Sequence, residues 1–417
     1  MKNNSSLSLM KCFTKCCVGF SYGMPFPLTL VILDFWLKDS GVSNTIVGIF
    51  SLLHLPFTFK FLWGPLVENR DIPFLSPKLG RIRSWIVVSH LILIFGIVGM
   101  AYSDPSSSLF SLISFASLTS LGDGCKNVVL YPYQIDRAKE SQMGYVAGLI
   151  GMGHKIGMIF TKTISLHLAH FFSWKTAYLF CAVCIFMLMN MLLFLKIPKN
   201  NPNRIENFLS FPDFIKKNIV QPFKNIKKIS FLYVLLLYKS LDFMMQKISK
   251  LFIMEAGFSK IEIANVAQLL GSISVIIGGL VGGYIIKKIS LSRSLVIFGT
   301  CHAVSFFPYL FLLYQPNIGV LRWIILFEAF TGGCVTTAFL TFIYNTCRTG
   351  SLYAFLWAFH DFTGMFFMGI SGFISDKIGW NLYFSLIPSS YIITLIFYTF
   401  SRNCYKKTNT LSKKAIS

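Results

Sequence analysis

Residues 197–229, IPKNNPNRIENFLSFPDFIKKNIVQPFKNIKKI, decide how this chain is organised. The stretch is polar and basic, and Pro198, Pro202, Pro212 and Pro222 interrupt it. Apolar sequence dominates on both sides. A helix needs about 20 apolar residues to cross roughly 30 Å of hydrocarbon. Six such windows precede the stretch, at 16–37, 45–67, 85–103, 107–131, 143–170 and 174–196. Six follow it, at 230–254, 261–286, 292–314, 320–346, 350–375 and 379–400. Barrel strands would instead show alternating segments of about 10 residues. The fold class expected is all-α and integral to the membrane, with twelve transmembrane helices in two six-helix bundles. The domains read as 1–196, a cytoplasmic basic linker 197–229, a second bundle 230–400 and a basic tail 401–417. No residue-level repeat between the halves is visible, so their symmetry rests on span count alone.

Composition agrees. The 417 residues are 54% hydrophobic and only 13% charged, against about 25% charged in soluble domains. That excludes a soluble globule, and the apolar content excludes disorder. The first apolar run carries Pro25 and Pro27 and is too long for a cleaved signal, so it reads as a retained span. The ten cysteines show no secreted-domain framework; Cys181-Ala-Val-Cys184 is formally CxxC but sits mid-span, so it and the others read as small apolar fillers.

The net charge of +22 would suit a polyanion partner, but its distribution gives another reading. With both termini cytoplasmic, 26 of the 38 Lys and Arg fall in cytoplasmic segments or at their edges. Only Lys38, Lys175, Lys260, Arg322 and Lys377 fall outside. Such asymmetry sets orientation and pairs the cytoplasmic face with anionic lipids, with no need of nucleic acid. The remaining basic residues are Lys60, Lys126, Lys155, Lys162, Lys239, Lys247 and Lys250, in or near spans.

A charge in mid-span costs about 2.5–3.5 kcal/mol on insertion scales, so it tends to face a polar cavity. Asp34, Asp123, Asp242, Glu328 and Asp361 are the acids in spans. Asp123 with Lys126, and Lys239 with Asp242, stand at i, i+3 and share a helix face. Lys155 and Lys162 share a face of span five. One reading is a lysine-rich cavity for an anionic solute, with Asp123, Glu328 or Asp361 carrying a proton. The other is a set of ion pairs that lock helices. No nucleophile–base motif or phosphate loop is present, so an enzyme is not expected.

Several segments resemble one family. Phe59-Lys60-Phe61-Leu62-Trp63-Gly64-Pro65-Leu66-Val67-Glu68 resembles the FKFLWxPLxD stretch of the AmpG-type muropeptide permeases, members of the major facilitator superfamily. Gly19-Phe20-Ser21-Tyr22-Gly23-Met24-Pro25 resembles GFxxGxP, and Gly153-His154-Lys155-Ile156-Gly157-Met158 resembles GYRxGM. Leu237-Tyr238-Lys239-Ser240-Leu241-Asp242 resembles LYKxxD, and Phe327-Glu328 with Gly332-Gly333 resembles FExxxGG. Gly80-Arg81-Ile82-Arg83 and Leu291-Ser292-Arg293-Ser294-Leu295 resemble the family's basic loops. The family's span-four QDxxxDA positions here hold Lys126, Asn127 and Tyr131, and its span-eight Asn-Lys is Ala267-Gln268.

The resemblance implies a monomeric multi-pass protein of a bacterial inner membrane. It implies import of anionic cell-wall fragments, anhydro-muropeptides, by proton symport, with the proton gradient in place of a cofactor. Substrate contacts would fall to Lys126, Asn127, Lys155, Lys239, Asp242 and Gln268. Proton coupling would fall to Asp123, Glu328 and Asp361, and gating to Glu68, Arg81, Arg83 and Arg293. The altered span-four and span-eight positions keep two other readings open. One is transport of another organic anion, such as a nucleotide or acyl conjugate. The other is a non-transporting membrane sensor on a degenerate permease.

Overall fold

The structure is a computed structural model that describes residues 9–60, 67, 70–135, 143–194, 237–346 and 350–414. Among these residues every regular element is helical. The chain forms two compact units, Met1–Val42 with Phe50–Phe208, and Ser43–Ile49 with Leu209–Ser417.

The first unit opens with α1 (Leu9–Gly23). Pro25 and Pro27 lack the backbone N–H that α-helix continuation needs. The chain passes through a π-helical turn, Leu28–Ile32, into α2 (Leu33–Asp39). The next helix, α3 (Asn44–Ile49), groups with the second unit. It is followed by a 3₁₀ segment, Phe50–His54, and by α4 (Leu55–Thr58), with Pro56 in its first turn. The window 45–67, expected as one span, is therefore broken into pieces where it is described. Pro56 cannot donate to the preceding turn, and the 3₁₀ segment tightens the chain ahead of it. Four long helices complete this unit: α5 (Arg81–Ala101), α6 (Leu109–Ile135), α7 (Met143–Phe171) and α8 (Trp174–Phe194).

The second unit holds α9 (Ser240–Glu255), then a π-helical stretch, Ile263–Leu270, leading into α10 (Gly271–Lys288). Next come α11 (Leu291–Val304) and α12 (Tyr309–Tyr314), split at Pro308 where the sequence predicts one span. The last two are α13 (Ile318–Thr346) and α14 (Gly350–Lys414). Inside α14, Gly379 takes a left-handed φ of 73°, a conformation open to glycine. It separates the two windows predicted at 350–375 and 379–400.

By length and composition, six described stretches suffice to cross a membrane: Cys12–Asp39, Arg81–Ala101, Trp174–Phe194, Lys260–Lys288, Leu291–Tyr314 and Ile318–Ile343. The helix α9, 16 residues long and carrying Asp242, Lys247 and Lys250, falls short of such a stretch in length as well as in apolarity.

Helices meet where side chains vanish. A Cβ on Gly153 of α7 would lie 2.1 Å from the Cys16 carbonyl oxygen, and one on Gly278 of α10 would lie 2.0 Å from that of Phe330. Only glycine permits such backbone approach, and in lipid this close packing is a main source of helix association.

The structure also supplies a repeat that the sequence does not show. In the first unit Trp174 Nε1 donates to Asp39 Oδ2 (2.7 Å), and Tyr178 OH donates to the Leu28 carbonyl (2.9 Å). In the second, Trp380 Nε1 donates to Glu255 Oε2 (2.6 Å), and Tyr383 OH donates to the Met244 carbonyl (3.4 Å). Trp36 and Phe252, each three residues before the carboxylate, pack on Tyr178 (5.1 Å) and Phe384 (5.0 Å). The same clasp thus ties the first helix of each half to the last. Aspartate in one copy is glutamate in the other, and the tyrosine stands four residues after Trp174 but three after Trp380, which hides the pattern from direct comparison of residues.

Candidate functional site

Among the described residues, each unit holds a buried lysine–carboxylate pair. In the first unit the partners sit one turn apart on α6. Lys126 is fully buried and its Nζ lies 2.8 Å from Asp123 Oδ1. The ammonium also donates to the Ser21 carbonyl of α1 at 2.5 Å, at the stretch that Pro25 then interrupts. Asn127 Nδ2 donates to Asp123 Oδ1 (3.1 Å), and Tyr22 OH donates to the Asn127 carbonyl (3.4 Å). Asp123 Oδ2 and His90 Nε2 are buried with no hydrogen-bond partner. Buried polar atoms are ordinarily paired, so these two atoms single out this part of the unit. Lys155, on α7, is exposed.

In the second unit the pair straddles the start of α9. Lys239 Nζ lies 2.7 Å from Asp242 Oδ2 and donates to Thr336 Oγ1 of α13 (3.0 Å). Asp242 Oδ1 accepts from Gln246 Nε2 (3.0 Å) and lies 3.3 Å from His302 Nε2 of α11. His302 Nδ1 lies 2.9 Å from Thr331 Oγ1 of α13. On the same helix Glu328 accepts a hydrogen bond from Tyr309 OH of α12. A buried ion pair needs such additional partners to offset desolvation.

The remaining candidates are dispersed. Gln268 is buried in the π-helical stretch before α10. Asp361 is half-buried on α14 beside His360, whose ring packs against Phe339 (4.5 Å) and Phe243 (4.9 Å). Arg81 and Arg83 are half-buried at the start of α5, and Arg293 is exposed in the first turn of α11. Glu68 lies outside the described residues. Among the predicted site residues, Asp123, Lys126 and Asn127 are brought together in one unit, and Lys239 and Asp242 in the other. His302, Thr331 and Tyr309 were missed, because isolated polar residues in apolar runs carry no spacing signal.

The sequence profile of the Major Facilitator Superfamily matches residues 12–367. The chain belongs to this superfamily. It is similar to the protein named as transporter AmpG 1 in Rickettsia bellii, with 25% identity over 380 residues, covering 88% of this chain and 92% of that one. The anhydromuropeptide permease of Escherichia coli is 25% identical over 377 residues, covering 88% of this chain and 74% of its own. Among solved structures, a POT family transporter in complex with thioalcohol-conjugated peptide superimposes with a TM-score of 0.71 at 14% identity. That match covers 94% of this chain and 96% of the other. A D-xylose–proton symporter gives 0.65 at 12% identity, covering 93% and 96%. These structures share the fold, a multi-pass arrangement of apolar helices. The AmpG resemblance drawn from sequence motifs therefore holds over most of this superfamily chain.

Proposed function

We propose that the chain is a secondary transporter that imports anionic anhydro-muropeptides across a bacterial inner membrane by proton symport and alternating access. The similarity to the Escherichia coli permease over 88% of the chain carries this reading. The buried lysines support the anionic class: Lys126 and Lys239 each sit beside a carboxylate that an incoming carboxylate can replace. In this reading the bundles are 1–196 and 230–400, with linker 197–229, tail 401–417 and both termini cytoplasmic. The chain acts as a monomer among anionic lipids, and its task is transfer rather than chemical conversion.

The test is uptake of labelled anhydro-muropeptide by a permease-deficient strain that expresses the chain. Uptake above the empty vector that collapses with a proton ionophore is expected. Absence of uptake overturns the substrate, and insensitivity to ionophore overturns symport. A second reading, transport of another organic anion, is favoured by Lys126-Asn127 and Ala267-Gln268 at polar positions of the AmpG pattern. Competition by a nucleotide or acyl conjugate, without competition by unlabelled muropeptide, selects it. A phenotype that survives Lys155→Ala and Lys239→Ala selects the sensor reading.

A further inference from the structure

We infer that His302 holds the coupled proton, on the bond between its Nε2 and the Asp242 carboxylate, rather than any acid of α6. The inference deepens the proposed symport and rests on it.

Ser305 Oγ donates its only hydrogen to the His302 carbonyl (2.7 Å). Thr331 Oγ1 donates its hydrogen to the carbonyl of Glu328 (2.9 Å) or Phe327 (3.0 Å), or to Ser305 Oγ (3.3 Å). When its hydrogen is so used, the Thr331 oxygen accepts from His302 Nδ1 at 2.9 Å; the same contact also admits the reverse, with Thr331 donating to Nδ1. In the first arrangement Nδ1 carries the hydrogen, a tautomer assigned rather than fixed by the network. In the neutral ring Nε2 is then a bare lone pair, 3.3 Å from the Asp242 Oδ1 oxygen. Two acceptors face one another, and that contact is completed by one added proton.

The charge around it explains why that proton travels with an anion. Asp242 is already balanced by Lys239 at 2.7 Å. A proton on His302 leaves the buried cluster with one positive charge in excess. An anionic solute that pairs with Lys239 removes this excess. Proton and solute each favour the other's binding, and the linkage is reciprocal. The titratable groups gathered around the cluster are Lys239, Asp242 and Lys250 from α9, Glu328 from α13 and His360 from α14, with Tyr309 of α12 holding Glu328. The proton enters on Nε2 from one side of the membrane and leaves from the same atom to the other once the solute has departed.

The test compares wild type with His302→Gln in proteoliposomes. Glutamine keeps a donor toward Asp242 and removes the titratable ring. Two modes of anhydro-muropeptide movement are measured: exchange with no gradient, and accumulation under an imposed pH gradient. The variant is expected to lose accumulation by about tenfold or more relative to its own rate of exchange, within the usual range of coupling between sites. Full accumulation by His302→Gln overturns the inference, as does a wild type that exchanges but never accumulates. A substrate-free measurement separates failure of the transport reading. Infrared difference spectra of the purified protein between acidic and alkaline buffer should contain a carboxylate–imidazole signal lost in His302→Gln and altered in Thr331→Val. Identical spectra overturn the proton site even if muropeptide is not the cargo. The signal with no muropeptide movement overturns the transport reading alone.

Discussion

Trp174 donates its indole hydrogen to Asp39 from a ring only 8% exposed. Both carboxylates are exposed, but Trp380, which makes the matching bond to Glu255, is only half-buried. The two copies of one clasp therefore differ in worth. A hydrogen bond to a charged group contributes about 1.5–3 kcal/mol when shielded and less in water. Trp174→Phe is expected to lower the melting temperature of the detergent-purified protein more than Trp380→Phe does. A double-mutant cycle between Trp174→Phe and Asp39→Asn should show coupling. Equal shifts from the two tryptophan variants would refute the ranking.

Glycines on one helix give a second, internally controlled prediction. Gly153 on α7 faces the Cys16 carbonyl, whereas Gly151 has open space around its missing Cβ. Gly153→Ala must push α1 and α7 apart, and overpacking of this kind costs about 1–3 kcal/mol. Gly151→Ala meets nothing and gains helix propensity of up to about 1 kcal/mol. Thermal unfolding should move in opposite directions for substitutions two residues apart. A loss in both would show that α7 needs flexibility rather than close approach.

The pair on α6 tests lock against binding site. Lys126→Met leaves Asp123 buried without its ammonium, a situation that costs about 3–5 kcal/mol. Combining it with Asp123→Asn removes the uncompensated charge. The yield of folded protein is expected to collapse in Lys126→Met and to recover largely in the double variant. Additive losses would show that the two side chains act independently.

These relationships mark how far the sequence could be read. The i, i+3 spacing of Asp123 with Lys126 and of Lys239 with Asp242 is a local property of a helix, and both pairs are formed. The span windows likewise follow from composition. His302 meets partners on α9 and α13, distant along the chain, and no local period encodes such contacts. The breaks at Pro56 and Pro308 were marked by residue type, although the windows ran through them. The π-helical stretches at Leu28–Ile32 and Ile263–Leu270 leave no mark in apolar periodicity. The clasps join the two ends of each half, so their repeat exists in space before it exists in sequence.

Lys155 offers the most direct separation of structure from transport. It is exposed on α7 in the Gly153-His154-Lys155 stretch, while the neighbouring Gly153 and Gly157 face α1. Removing an exposed surface side chain usually changes stability by about 0.5 kcal/mol or less. Losing a hydrogen bond between an ammonium and a solute carboxylate costs about 1.5–3 kcal/mol, or roughly tenfold or more in affinity. Lys155→Ala is therefore expected to keep the wild-type melting temperature and to raise the apparent KM for labelled anhydro-muropeptide about tenfold. Lys155→Arg should restore most of it, because charge and donors return. An unchanged KM in Lys155→Ala would remove this lysine from the substrate path, and a lowered melting temperature would assign it to the scaffold instead.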